Sequence, residues 1–73
     1  VIDVDIENAI VKNRLEQILS DRGLKQNWLA LQVGVSKQTM SNLVKNRFNT
    51  SADVGLKIAY VLGMNFNEIF YLE

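Results

Sequence analysis

The chain has no cysteine, no histidine and no proline among its 73 residues. Without cysteine there are no disulfide staples and no thiolate nucleophile. Without histidine the commonest general base is gone, and with both missing almost every zinc site is excluded. No apolar run approaches the ~18–20 residues of a membrane span, and no signal-peptide pattern is visible. Charge of either sign is not in excess: Lys and Arg total 8, Asp and Glu total 8. What is present is a hydrophobic fraction of 48%, enough for a globular core and too high for intrinsic disorder. A chain of this length makes one domain at most and buries only ~60% of its unfolded surface. The expectation is a single soluble domain over residues 1–73, working in the cytoplasm. Its first residue is Val rather than Met, which leaves open a piece trimmed from a longer chain. The carboxylates Glu16, Asp21, Asp53 and Glu68 fall on helix ends and solvent faces, with no convergent pair for acid–base work and no phosphate-cradling glycine loop. An enzyme is therefore not expected, nor a metal, cofactor or small-molecule ligand; a binding module is.

Residues 1–7 alternate Ile2, Val4 and Ile6 with Asp3, Asp5 and Glu7. That period of two predicts a short strand or arm. A lone strand needs a partner edge, which Phe70, Tyr71 and Leu72 could supply, within one chain or across a dimer. A first helix is expected over residues 8–21, with Val11, Leu15, Ile18 and Leu19 on one stripe and Gly23 ending it. A second is expected over residues 26–33, a third from the Ser36 cap to about Lys45, and a fourth after the Ser51 cap with Ala52, Leu56, Ala59 and Leu62 inward. Asn65 and Glu68 are spaced as a capping box for a short fifth helix. Gly55, inside the fourth helix, counts against its first turn, since Gly costs ~1 kcal/mol relative to Ala there. The fold class is all-α: a five-helix bundle over residues 8–70, preceded by a strand-like arm.

The functional signal lies in residues 26–46, QNWLALQVGVSKQTMSNLVKN. Two short helices meet at Gly34, which tolerates the positive φ of a tight turn. Ala30 sits where the helices cross and a larger side chain would hold them apart. Val35 fills the space beneath the turn, and Leu29, Val33, Met40 and Leu43 close the core between the helices. These positions specify a helix-turn-helix whose second helix stands out from the body. Its outward positions are Ser36, Lys37, Gln38, Ser41, Asn42 and Lys45, with Thr39 at the edge. A merely solvated face more often carries Glu–Lys pairs, whereas here there is no acid between Asp21 and Asp53. Amides can pair with adenine in the major groove, and Lys can donate to guanine.

With these pieces in this order, the sequence resembles the lambda-repressor-like (Cro-type) helix-turn-helix regulators. The resemblance covers about residues 11–70, including GLKQNWLALQVGVSKQTMSNL, the helix with LKIAYVLGM and the closing NFNEIF. It implies a sequence-specific double-stranded DNA-binding regulator, a repressor of phage or mobile-element type in a bacterial or phage-infected cell, acting as a homodimer on an inverted-repeat operator. Lys37, Gln38 and Asn42 match the family's base-reading positions, with Ser36, Thr39 and Ser41 beside them on bases or backbone. Gln26 matches a phosphate-binding Gln at the start of helix two, where free amides and the helix dipole favour an anion. Lys45, Asn46 and Arg47 match a loop that touches the DNA backbone.

The balanced charge hides a segregation. Residues 1–10 carry Asp3, Asp5 and Glu7. Residues 11–50 carry Lys12, Arg14, Arg22, Lys25, Lys37, Lys45 and Arg47 against Glu16 and Asp21. Residues 51–73 carry Lys57 against Asp53, Glu68 and Glu73. The basic excess therefore falls in the block containing the motif. Lys25 stands where relatives usually have a Ser or Thr cap, and Asn46 where Gly is frequent. Trp28 and Leu31 occupy positions that are usually polar. They either fold onto the bundle or form a protein contact, since Trp is enriched at binding hot spots. Phe48 could plug the core or join a dimer face; Phe66, Phe70, Tyr71 and Leu72 are further candidates for such a face. The alternative function is accordingly a protein-interaction module, an antirepressor or inhibitor, that keeps the fold and binds through Trp28 and Leu31.

Overall fold

The computed structural model describes residues 5–73. A short strand, β1 (Val11–Asn13), leads into α1 (Leu15–Arg22), α2 (Gln26–Val33), α3 (Lys37–Val44), α4 (Ala52–Leu62) and α5 (Phe66–Ile69), and the chain closes on β2 (Phe70–Leu72). The two strands pair antiparallel, Val11 opposite Leu72, Lys12 opposite Tyr71 and Asn13 opposite Phe70. Ile10 and Glu73 extend the ladder with reciprocal backbone bonds of 2.9 Å.

The N-terminal expectation needs two corrections. Ile6 lies in a 3-10 turn, Ile6–Asn8, not in a strand; Ile2 and Val4 lie outside the described residues. The strand that pairs with Phe70–Leu72 is residues 11–13, which were expected inside the first helix. That helix starts only at Leu15 because Asn13 intervenes. Its side chain turns back and accepts the Leu15 N–H at 3.0 Å, so the residue acts as a local cap and breaks the helical path. Val11 is consequently exposed rather than part of the helical stripe.

The core gathers Leu15, Ile18 and Leu19 of α1, Leu29, Ala30 and Val33 of α2, Met40, Leu43 and Val44 of α3, Ile58, Ala59 and Leu62 of α4, and Ile69 and Phe70. Phe70, offered above as a dimer candidate, is buried here instead. On α4 the inward face is Gly55, Ile58, Ala59 and Leu62; of the residues expected inward, Ala52 is exposed and Leu56 is 59% exposed. The face is rotated because Gly55 admits an aromatic ring. A Cβ built on Gly55 would sit 2.7 Å from Cε2 of Phe66, whose ring stacks on Phe70 at 4.6 Å between centroids. The missing side chain thus lets α5 dock on α4.

Gly55→Ala gains up to ~1 kcal/mol of helix propensity but must displace that ring, and overpacking of this kind costs ~1–3 kcal/mol. A net loss of about 1 kcal/mol is expected in urea unfolding. In a Phe66→Ala background the same substitution should be close to neutral, because the new methyl group then meets only Thr50 Cγ2, 3.3 Å away.

Two arginines of the basic block are used to hold the fold. Arg22 donates to the Leu62 carbonyl at 2.6 Å, satisfying an orphan acceptor at the end of α4. Arg14 donates to the Glu68 carbonyl at 3.2 Å and lies over the Tyr71 ring, 4.4 Å from its centroid. Tyr71 is therefore half-buried beneath a cation rather than a bare apolar contact surface.

Candidate nucleic-acid interface

The motif is built from α2 and α3 around Gly34. Gly34 takes φ 78°, and both Gly34 N–H and Val35 N–H donate to the Ala30 carbonyl, at 3.0 and 3.1 Å. Val35 packs half-buried against the core. Ser36 then starts α3: its Oγ accepts the Thr39 N–H at 3.0 Å and donates to Thr39 Oγ1 at 2.8 Å. The Ser36 hydroxyl is thus committed to the cap, while Thr39 retains its own hydroxyl hydrogen for a partner.

With Met40, Leu43 and Val44 buried, the other face of α3 points away from the body. Ser36, Lys37, Gln38 and Thr39 are exposed, and Ser41 and Asn42 are half-exposed. Gln38 and Asn42 stand one helical turn apart, and Gln38 Nε2 donates to Asn42 Oδ1 at 3.2 Å. From the loop after α3, Arg47 Nη1 donates to the same oxygen at 3.3 Å. Lys45 is exposed beside them. At the start of α2, Lys25 occupies the cap position without a side-chain cap bond. The first amides of that helix, beside the half-buried Gln26, are left without an acceptor from the capping residue.

Asn46 departs from the role expected for it. It takes φ 60°, as an Asn replacing Gly can. Its side-chain amide, however, is spent inside the protein. Oδ1 accepts the Asn13 N–H at 2.8 Å, and Nδ2 donates to the Asn13 carbonyl at 3.1 Å. Asn13 Nδ2 in turn donates to the Leu43 carbonyl at 2.8 Å. This clasp ties β1 to the C-terminal end of α3. Sequence reasoning missed Asn13 entirely, since one buried polar residue leaves no periodic signal.

The apolar candidates fall in separate places. Leu31 is 77% and Trp28 39% exposed, so Trp28 is only partly folded onto the bundle. Phe48 is 66% exposed at the rim of a groove shared with Thr39, Leu43, Thr50 and Val54, and it does not plug the core. Phe66 is 39% exposed, its remaining surface lying against Gly55 and Phe70. Sequence reasoning did not single out Tyr60, which is 88% exposed on α4; its place on the polar side of that helix was the available signal.

Two short helices crossing at a small residue, a left-handed turn and a second helix with a free amide-bearing face define a helix-turn-helix protein. More narrowly, the chain belongs to the Cro/C1-type HTH DNA-binding domain family, which it matches over residues 14–73. It is 33% identical over 63 residues to an uncharacterised HTH-type transcriptional regulator of Methanocaldococcus jannaschii, covering 86% of this chain and 96% of the relative. It is 30% identical over 63 residues to the uncharacterised HTH-type transcriptional regulator YgzD of Bacillus subtilis, with coverage of 86% and 96%. Among solved structures it is similar to the transcriptional regulator VanUg, with a TM-score of 0.77 at 30% identity, covering 100% of this chain and 97% of that one.

Proposed function

We propose that this protein is a transcriptional regulator that binds double-stranded DNA sequence-specifically, laying α3 in the major groove. The observation that carries the reading is the uncovered face of α3, where Lys37, Gln38 and Asn42 are turned to solvent in a stretch without an acidic residue. Lys37, Gln38 and Asn42 are assigned to base edges. Ser36, Thr39 and Ser41 border them, Thr39 having the freer hydroxyl. Phosphates are assigned to the uncapped start of α2 with Gln26, and to Lys45 in the loop. With Arg14 and Arg22 engaged in the fold, the cations left for DNA are few. Non-specific affinity scales with the phosphates neutralised, so it should be weak.

Specific binding then calls for two subunits, a homodimer on an inverted repeat with its two α3 helices ~34–36 Å apart. Repression by occluding the promoter, in the manner of phage-type regulators, is supported by α2, which offers no acid to a polymerase. Action on DNA places the protein in the cytoplasm at the nucleoid. Among the described residues no helix is long and apolar enough to cross a membrane.

Selection of bound duplexes from a random pool tests the DNA reading and the symmetry of the site together. A palindromic consensus is expected; recovery of no preferred sequence would sink the reading. Lys45→Ala should weaken binding to all duplexes alike and lower the salt slope by about 1, as measured by anisotropy titrations at several salt concentrations.

The exposure of Trp28 and Leu31 supports a second reading, in which α2 docks a protein partner. Titration with mixed duplex at low and then higher salt separates the two. Salt-sensitive resonance shifts centred on residues 36–47 belong to DNA binding, whereas a partner acting through α2 would perturb Trp28 instead.

A further inference from the structure

The hydrogen bonds around Asn42 say more than that α3 faces outward, and what they say rests on the DNA reading above. We propose that Arg47 is a positioning residue for base readout. By holding Asn42 in one amide orientation, it makes the Asn42 position select guanine rather than adenine.

A guanidinium has five donors and no acceptor. The atom of Asn42 that faces Arg47 Nη1 at 3.3 Å must therefore be the carbonyl oxygen. Arg47 is kept within reach by its own backbone, whose N–H donates to the Asn42 carbonyl at 2.9 Å. Gln38 Nε2 donates to the same Oδ1 at 3.2 Å. Both lone pairs of that oxygen are then engaged, and one arginine sets the orientation of two amides.

The consequence for recognition is asymmetric. Gln38 keeps Oε1 and one N–H free, the acceptor and donor that match adenine N6 and N7. Asn42 keeps only the two N–H donors of Nδ2. It can no longer accept from adenine N6 while donating to N7, nor accept from cytosine N4. What suits two donors is an edge of acceptors, and guanine N7 and O6 provide one. The pair Gln38–Asn42 thus presents a mixed edge and then a donor edge to neighbouring base pairs. Thymine O4 offers one acceptor and is the second choice at Asn42. Were Arg47 a phosphate contact alone, its loss would weaken every duplex equally and leave base preference untouched.

The test is selection from a random duplex pool with the wild type, Arg47→Ala, Lys45→Ala, Asn42→Ala and the Arg47→Ala/Asn42→Ala double variant. The position where Asn42→Ala relaxes selection identifies the base pair read by Asn42. There the wild type is expected to enrich guanine, and Arg47→Ala to move the guanine-to-adenine ratio about tenfold toward adenine, the scale of one bidentate pairing. Lys45→Ala, which removes a charge from the same loop without touching Asn42, should leave that ratio unchanged. In the Asn42→Ala background Arg47→Ala should no longer alter the profile. Without DNA, Arg47→Ala should also shift the side-chain amide resonances of Asn42 and Gln38.

An Arg47→Ala profile identical to the wild type, or adenine at the Asn42 position in the wild type, would overturn the assignment while leaving the DNA reading intact. A wild type that enriches no sequence would overturn both.

Discussion

Asn13→Leu is expected to destabilise the protein by about 2–4 kcal/mol, the largest effect of any single substitution considered. Asn13 is 6% exposed and has every polar atom engaged. Its Oδ1 accepts the Leu15 N–H, its Nδ2 serves the Leu43 carbonyl, and its backbone N–H and carbonyl are paired by the Asn46 amide. Leucine keeps the branched shape but sets bulkier methyl groups in place of the amide oxygen and nitrogen, so overpacking adds to the loss of the hydrogen bonds. Loss of the bond from the Leu15 N–H costs ~1 kcal/mol, and stranding a buried carbonyl at the end of α3 costs ~1–3 kcal/mol. For a domain of this size each kcal/mol lowers Tm by ~4–8 °C. A fall of roughly 8–32 °C should be seen by circular dichroism. Asn46→Gly keeps the left-handed backbone conformation and removes only the clasp, so it should lose less, about 1–2 kcal/mol for two net hydrogen bonds. If Asn13→Leu left the unfolding midpoint unchanged, the side-chain bonds to Leu15 and Leu43 would contribute nothing, and the start of α1 would have to be fixed by strand pairing alone.

The same residue shows where reading the chain stops. The turn between α2 and α3 was legible because its requirements are local: a Gly at the left-handed position, a Ser one turn before Thr39, and apolar residues spaced for two helices. The ends of α4 and the start of α5 were legible for the same reason. Asn65 and Glu68 stand three apart, and Glu68 Oε1 does accept the Asn65 N–H at 2.9 Å. The region before Leu15 was misread because Val11 falls by coincidence on the helical spacing of Leu15, Ile18 and Leu19. Three residues are too few to display a strand's alternation, and the partner that makes them a strand lies at the other end of the chain. The inward face of α4 was misassigned at Ala52 and Leu56, which are exposed, and Ile58 was left out of it, because Gly55 was taken as a cost to the helix. Its purpose becomes visible only when the Phe66 ring is seen against it. In the site, exposure of Lys37, Gln38 and Asn42 follows from helical periodicity. The bond from Arg47 to Asn42 does not, since it reaches across the helix end, where no periodic rule relates residues five apart. The segregation of charge was legible as a count, but not which cations remain free: Arg14 and Arg22 meet backbone carbonyls 54 and 40 positions away.

Gln38→Ala is expected to cost about 1–3 kcal/mol of specific binding per half-site, and to do so without cost to the fold. Gln38 is exposed, and its one side-chain hydrogen bond is the exposed one to Asn42. Alanine is the better helix former by a few tenths of a kcal/mol, so unfolding midpoints should hold or rise slightly. Any loss of binding is then a loss at the interface rather than a loss of folded protein. Competition between the selected operator and single-base variants reads the effect. Gln38→Ala should flatten preference at the base pair where the wild type prefers adenine, leave discrimination elsewhere largely intact, and leave affinity for random duplex unchanged, because the side chain carries no charge to a phosphate. The neighbouring Asn42 position should stay selective, since Arg47 still holds its oxygen when Gln38 is gone. A uniform loss across all sequences would instead mean that Gln38 lies along the DNA backbone. In that case α3 would be rotated in the groove, so that Lys37 and Ser41 rather than Gln38 and Asn42 face the bases.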